Sequence, residues 1–240
     1  MVGHAVLLAA GLGRRLGAGT SKGFVEILGR PLLAWSLETF AGHPQIDRIV
    51  VVHAPGEAAR ARCLDAAIRP LGLEDRAILV EGGERRQDSS ARGTAALPPA
   101  VRDDPEAVVL IHDAARPLVS PYLITHCLRE LAAHPRAAGV LPALPVRETL
   151  KRVHESWIEE TIDRTGLWAA QTPQAFRLGP LREAQDRAAR EGWAVTDDAG
   201  LLEASARPLR IVPGDPENLK ITYPEDRIFA ERLLRIRERT

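Results

Sequence analysis

With 240 residues, 45% of them hydrophobic, the chain is long enough to bury one sizeable core, and one compact domain is the expectation. Its 32 basic residues are balanced by 32 acidic ones, which excludes a strong general field for nucleic acid or for an anionic membrane surface; any anion site has to be local. No stretch approaches the ~18 apolar residues of a membrane span, and no basic segment leads into a long apolar run near the start, so a cytoplasmic protein without a nucleic-acid or membrane partner is expected.

Along the chain, short apolar runs alternate with helical patterns, the signature of βα units around a largely parallel sheet in an α/β fold. Ala5 to Ala9 reads as a buried strand, and Pro31 opens a helix whose apolar face includes Leu33, Leu37 and Phe40. Ile49 to Val52 is a second strand, followed by a helical stretch from Glu57 to Ile68. A third strand, Ala77 to Val80, ends at Gly82 and Gly83, with a helix expected to start near Asp88 or Ser89. Val108 to His112 is a fourth strand, running into His112-Asp113-Ala114-Ala115-Arg116-Pro117, and Pro121 starts the next helix. From Ala138 to Ile162 the pattern changes to short β-type pieces punctuated by Pro142 and Pro145, which reads as an arm or hairpin insertion. Helices near Leu178 to Glu191, Asp198 to Ser205 and Pro224 to Arg237 complete the chain, with a strand at Leu209 to Val212.

Two cysteines, Cys63 and Cys127, stand without metal-type spacing and read as buried small hydrophobes in a reducing compartment. All but three of the basic residues are arginine; the lysines are Lys22, Lys151 and Lys220. A chain so tilted toward arginine points to its lysines as places where a compact ammonium is needed.

Four segments carry candidate chemistry. The strand running into Ala9-Ala10-Gly11-Leu12-Gly13-Arg14-Arg15 needs a tight turn whose amides can approach a phosphate closely. It is neither a dinucleotide fingerprint, because Leu16 stands where glycine is required, nor a P-loop, because Lys22 follows Ser21 rather than preceding a hydroxyl residue. Arg15 and Lys22 can instead flank a polyphosphate held by the loop. Gly82-Gly83-Glu84-Arg85, with Asp88 and Ser89, ends a strand with bare backbone able to read a nucleobase edge. Asp113 and Arg116 pair a carboxylate suited to hydroxyls or a hydrated metal with a guanidinium suited to phosphate. Asn218-Leu219-Lys220 lies between a strand and the last helix.

Taken in order, these segments resemble the 2-C-methyl-D-erythritol 4-phosphate cytidylyltransferase family over nearly the whole chain. The similarity extends to Pro145-Val146-Arg147-Glu148-Thr149-Leu150-Lys151, Asp163-Arg164-Thr165-Gly166-Leu167-Trp168, Gln171-Thr172-Pro173-Gln174, Thr196-Asp197-Asp198 and Glu217-Asn218-Leu219-Lys220-Ile221-Thr222. One departure is Gly23, where the family usually carries glutamine after the lysine.

The resemblance implies a Rossmann-like nucleotidyltransferase fold with a protruding β-arm at about 143–167 that makes a homodimer. It implies transfer of CMP from CTP to the polyol phosphate, giving 4-diphosphocytidyl-2-C-methyl-D-erythritol and pyrophosphate; a ribitol 5-phosphate cytidylyltransferase is the alternative. Arg15, Lys22 and Lys220 are then the catalytic cations, and Ala9, Ala10, Gly11, Gly83, Glu84, Ser89, Asp113 and Ala114 hold the nucleotide. Asp113, Arg116, Thr149, Arg164, Thr172 and Thr196 hold the acceptor, with Arg164 reaching across the subunit interface. Mg²⁺ is expected as cofactor, held mainly by the CTP phosphates and not by side chains. The acceptor phosphate has a second pKa near ~6, so it attacks directly without a catalytic base.

Overall fold

The computed structural model describes residues 1–11 and 22–237. Strand β1 (Gly3–Leu8) is followed by a turn of 3-10 helix over Lys22–Phe24, a ribbon of β2 (Glu26–Ile27) and β3 (Arg30–Pro31), and helix α1 (Leu32–Ala41). Next come β4 (Ile46–His53), α2 (Glu57–Cys63, continued by a wider helical turn over Leu64–Ile68), β5 (Ala77–Glu81), α3 (Arg86–Ala95), α4 (Pro99–Arg102), β6 (Val108–Asp113) and α5 (Pro121–Ala133). The second half contains β7 (Gly139–Pro145), β8 (Leu150–His154), β9 (Trp157–Ile162), β10 (Trp168–Ala170), β11 (Gln174–Arg177), α6 (Leu178–Glu191), α7 (Asp198–Ala204), β12 (Leu209–Pro213) and α8 (Pro224–Arg237).

Period-2 alternation divides the core between the two faces of the main sheet. Ala5, Leu7, Ile49, Val51 and Leu110 point to one face, where α1 and α5 cover them with Leu33, Leu37, Phe40, Ile124 and Leu128. Val6, Val50, Val52, Val109 and Ile111 point to the other, under Leu181, Ala184 and Ala188 of α6 and Leu201 and Leu202 of α7. Burial on both faces is why these strands read as continuous apolar runs.

β1 pairs in parallel with β4 and β6, and β4 with β5. The register is level at one end: Leu8 lies opposite Val52 and Asp113, and His53 opposite Glu81. Carboxyl ends of parallel strands are where ligands of such sheets bind, and the segments singled out in the sequence leave β1, β5 and β6 at that edge.

The other half of the sheet is mixed. β11 runs antiparallel between β6 and β7, β10 is antiparallel to β7, and β12 returns to parallel on the far edge of β7. Within the segment read from sequence as an arm, Gly139–Pro145 therefore belongs to the main sheet, paired on both edges, while β8 and β9 form a separate antiparallel hairpin. The two prolines suggested interruption, but a proline removes only a donor; the Pro142 carbonyl still accepts from the Gln171 N–H at 2.8 Å.

Helix α3 starts at Arg86, ahead of the predicted Asp88 or Ser89. Asp88 sits inside the first turn, where its carboxylate accepts from the Arg85 backbone N–H at 3.1 Å. Cys63 and Cys127 are buried free thiols, their pKa pushed up to about 12 by desolvation. Among the described residues no helix is long and apolar enough to cross a membrane.

Candidate active site

At the carboxyl edge of β1, β5 and β6 lies a cavity of ≈ 610 Å³. Its walls include Ala9, Ala10 and Gly11 after β1, Gly83 and Glu84 after β5, Ser89 of α3, Asp113 at the end of β6, and Lys220. A smaller cavity of ≈ 210 Å³ adjoins it, lined by Arg116, Thr172, Gln174, Thr196 and Asp197. Arg86, Asp113 and Lys220 line both and mark where they meet.

The wall after β5 is built by close approach. A Cβ on Gly82 would lie 2.6 Å from the Ala10 side chain, and one on Gly83 would collide with Asp88. The Ser89 hydroxyl accepts from the Gly83 N–H at 3.1 Å, so Ser89 holds the glycine turn in place as well as lining the cavity. Gly23 also lies in the wall: a Cβ there would stand 2.9 Å from that of Ala9, and a longer residue would have to push the β1 end aside. The shortened side chain at this departure from the family pattern thus goes with a tight seam beside the chain that leaves β1.

Asp113 is the electrostatic centre. One carboxylate oxygen, Oδ1, accepts from Arg86 Nε at 3.1 Å, and the other, Oδ2, accepts from Lys220 Nζ at 2.6 Å. Burial alone would raise the pKa of this carboxyl, but the charges of Arg86 and Lys220 outweigh it, with help from Arg116, and hold it well below the usual carboxylate range. The carboxylate form of Asp113 is therefore the favoured one.

Lys220 is placed by its flanks. The Ile221 N–H donates to the Ala115 carbonyl at 2.8 Å, and buried Asn218 donates through Nδ2 to the Thr172 carbonyl at 2.8 Å. Arg116 ties the same segment down, donating to the Asn218 carbonyl at 2.7 Å and to the Ala170 carbonyl at 3.3 Å. Much of Arg116 is thus spent on holding backbone, although its side chain borders the smaller cavity.

Beneath Asp113, His112 is fully buried between Thr172 and the Arg116 carbonyl. A carbonyl can only accept, so the proton sits on Nε2, and Nδ1 accepts from the Thr172 hydroxyl at 3.0 Å. That hydroxyl in turn accepts from the Asp113 N–H at 3.1 Å. Desolvation lowers the His112 pKa to about 4, which keeps the ring neutral and this chain of donors and acceptors intact.

The structure thus brings together Ala9, Ala10, Gly11, Gly83, Glu84, Ser89, Asp113, Arg116, Thr172, Thr196 and Lys220. Ala114 adjoins them but is buried, and its N–H donates to the Leu8 carbonyl at 3.1 Å, stitching the β1 and β6 ends. Thr149 and Arg164 are not brought to these cavities: both are exposed at the base of the β8–β9 hairpin, where Arg164 donates to the Arg147 carbonyl. Arg15 lies outside the described residues, as does the side chain of Lys22.

Arg86 and Asp198 were missed as site residues. The expected helix start left Arg86 in a loop beside Arg85, and Asp198 stood only as the last residue of a matched triplet and the first of a predicted helix. Their pairing across 112 positions is a product of tertiary structure.

A sheet-edge cavity walled by glycine turns, with cations gathered around one carboxylate at its junction with a second, smaller cavity, is the ligand site of an α/β protein that can seat anionic groups. Comparison with known proteins narrows the class. The family model described as IspD, 2-C-methyl-D-erythritol 4-phosphate cytidylyltransferase, matches residues 3–236, and the chain belongs to that family. A relative of that name from Geobacillus kaustophilus is 42% identical over 232 residues, covering 96% of each chain. One from Synechocystis is 40% identical over 232 residues with the same coverage. The crystal structure of the Thermus thermophilus 2-C-methyl-D-erythritol 4-phosphate cytidylyltransferase superposes with a TM-score of 0.74 at 33% identity, covering 96% of this chain and 98% of that one. The chain is accordingly a cytidylyltransferase, and the fold expected from the sequence is the one observed.

Proposed function

We propose that this chain transfers CMP from CTP to 2-C-methyl-D-erythritol 4-phosphate, releasing pyrophosphate and 4-diphosphocytidyl-2-C-methyl-D-erythritol. Family membership supports the acceptor over ribitol 5-phosphate, since the relatives bear the methylerythritol name. The observation that carries the reading is the Lys220–Asp113 pair at the junction of the two cavities, which suits CTP in the larger and the polyol phosphate in the smaller.

In this reading Ala9, Ala10, Gly11, Gly83, Glu84 and Ser89 line the nucleotide site, and Asp113, Arg116, Thr172 and Thr196 face the acceptor. A non-bridging oxygen of the acceptor phosphate attacks the α-phosphorus in line, the new P–O bond forms, and the bond to pyrophosphate breaks. Lys220 leaves Asp113 for the negative charge that spreads over the α-phosphate, and Arg15 and Lys22 act beside it. Losing one such donor costs about 10²- to 10³-fold in rate.

The residues present fit Mg²⁺ brought in on the triphosphate, whose oxygens would supply the hard ligands; Asp113, the carboxylate at the junction, keeps one oxygen on Arg86. Bound there, the ion neutralises triphosphate charge.

The β8–β9 hairpin is read as the dimer arm. It exposes Val153, Trp157 and Ile158, with Trp157 80% exposed, an apolar surface that a second copy would cover. Thr149 and Arg164, at its base, would then complete the acceptor site of the partner subunit.

Product identification by mass spectrometry after incubation with CTP, Mg²⁺ and each of the two polyol phosphates tests the reading. The methylerythritol product is expected; turnover of ribitol 5-phosphate alone would overturn the assignment.

A further inference from the structure

Arg86 occupies an unusual position in the site. Its guanidinium lies between two carboxylates from separate parts of the chain, donating through Nε to Asp113 Oδ1 at 3.1 Å and through Nη1 to Asp198 Oδ2 at 2.6 Å. Asp198 is completely buried at the start of α7, and its other oxygen accepts from the Ser90 hydroxyl. The neighbouring Gln87 clamps the segment leading to α7, accepting from the Val195 N–H at 3.0 Å and donating to the Trp193 carbonyl at 2.8 Å. The first turn of α3 therefore braces the Thr196 and Asp197 side of the acceptor cavity and the Asp113 side together.

The two partners of Asp113 differ in freedom. The Arg86 side chain is 24% exposed and anchored at its far end, whereas Lys220 is 40% exposed and, among the described hydrogen bonds of its ammonium, has Asp113 as its partner. They also use different oxygens. When Lys220 moves to a phosphate, Oδ2 is released as a free acceptor while Oδ1 stays held. Without Arg86 the departure of Lys220 would leave a mostly buried carboxylate next to incoming phosphates; among the described residues Arg116 also acts on it, but Arg116 is committed to backbone carbonyls.

We propose that Arg86 is a positioning residue for the transfer: anchored on Asp198, it keeps Asp113 paired and aimed at the acceptor while Lys220 is away on the phosphates. This rests on the reading of Lys220 and Asp113 given above. Acting through Asp113 and not on the phosphorus, Arg86 affects the chemical step more than the binding of CTP, although its side chain borders both cavities.

The test is a double-mutant cycle on the full chain, assayed with labelled CTP so that slow variants remain measurable. Arg86→Met should lower kcat by about 10²-fold, the cost of a misplaced reacting group, a loss larger than any rise in KM for CTP. Arg86→Lys should recover part of the loss, since an ammonium can neutralise one carboxylate but not bridge two. In an Asp113→Asn background the further loss on Arg86→Met should largely vanish, because the residue it positions is gone. Asp198→Asn keeps the shape of the anchor and should show a smaller loss with the same dependence on Asp113, which preserves the test if Arg86→Met does not fold. Parental kcat in a folded Arg86→Met variant, or an equal loss in both backgrounds, would overturn the proposal. An inactive parent enzyme would instead overturn the assigned reaction.

Discussion

His112 allows a quantitative test of how the site is supported. Its ring is fully buried and neutral in the folded protein, with a pKa lowered to about 4 by desolvation, against 6.5 for the exposed side chain. A pKa depressed on folding means that the unfolded chain binds the proton more readily. The contribution to stability is complete above pH 6.5 and is lost as the pH falls toward about 4. Between pH 7.5 and 4.5 the loss attributable to this ring is about 2.5 kcal/mol, from 1.36 kcal/mol for each pKa unit. His112→Gln, whose side chain can still donate to the Arg116 carbonyl, removes the titration. Equilibrium urea unfolding of both proteins at the two pH values isolates the effect, because His4 and His43, whose pKa values are also lowered by burial, are present in both. The parent should lose about 2.5 kcal/mol more than the variant. Parallel losses, or an imidazole that titrates near 6.5 by NMR in the native protein, would refute the reasoning.

Other outcomes follow from the same geometry. Lys220→Ala should fold and lower pyrophosphate release by about 10²- to 10³-fold, and near-parental turnover would remove Lys220 from the reaction. Gly83→Ala places a Cβ against Asp88 at the first turn of α3; a destabilisation of about 1–3 kcal/mol and a raised KM for CTP are expected, measured by chemical unfolding and steady-state kinetics. Mixing Arg164→Ala with Lys22→Ala subunits should restore one working site per heterodimer if the arm carries Arg164 to the partner, and verified heterodimers without activity would count against that role.

Much of the architecture was legible in local pattern. β1, β4 and β6 are buried on both faces and the edge strand β5 is half-buried, so their apolar runs are continuous and bounded by polar turns; α6 and α8 match their predicted ranges because their periodicity is uninterrupted. β11 was not legible. Gln174–Arg177 is four residues long, and its pairing depends on being wedged between β6 and β7, contacts that lie at least 63 and 35 positions away in its register. β7 was obscured by its prolines, which look like interruptions locally but leave the carbonyl side of the strand able to pair.

The amino-acid order alone determined the α/β class, the edge of the sheet at which chemistry would occur and most residues that line the cavities, because glycine turns and charged residues that follow apolar strands carry their meaning in adjacent positions. Only the tertiary structure decided how those residues are connected: that Asp113 divides its two oxygens between Arg86 and Lys220, that buried Asp198 anchors Arg86, and that neutral His112 supports Thr172 below them. These are pairings of charges and donors across 27, 107, 112 and 60 positions. Their strength comes from removal from water, and burial exists only once the sheet and its helices have closed over them.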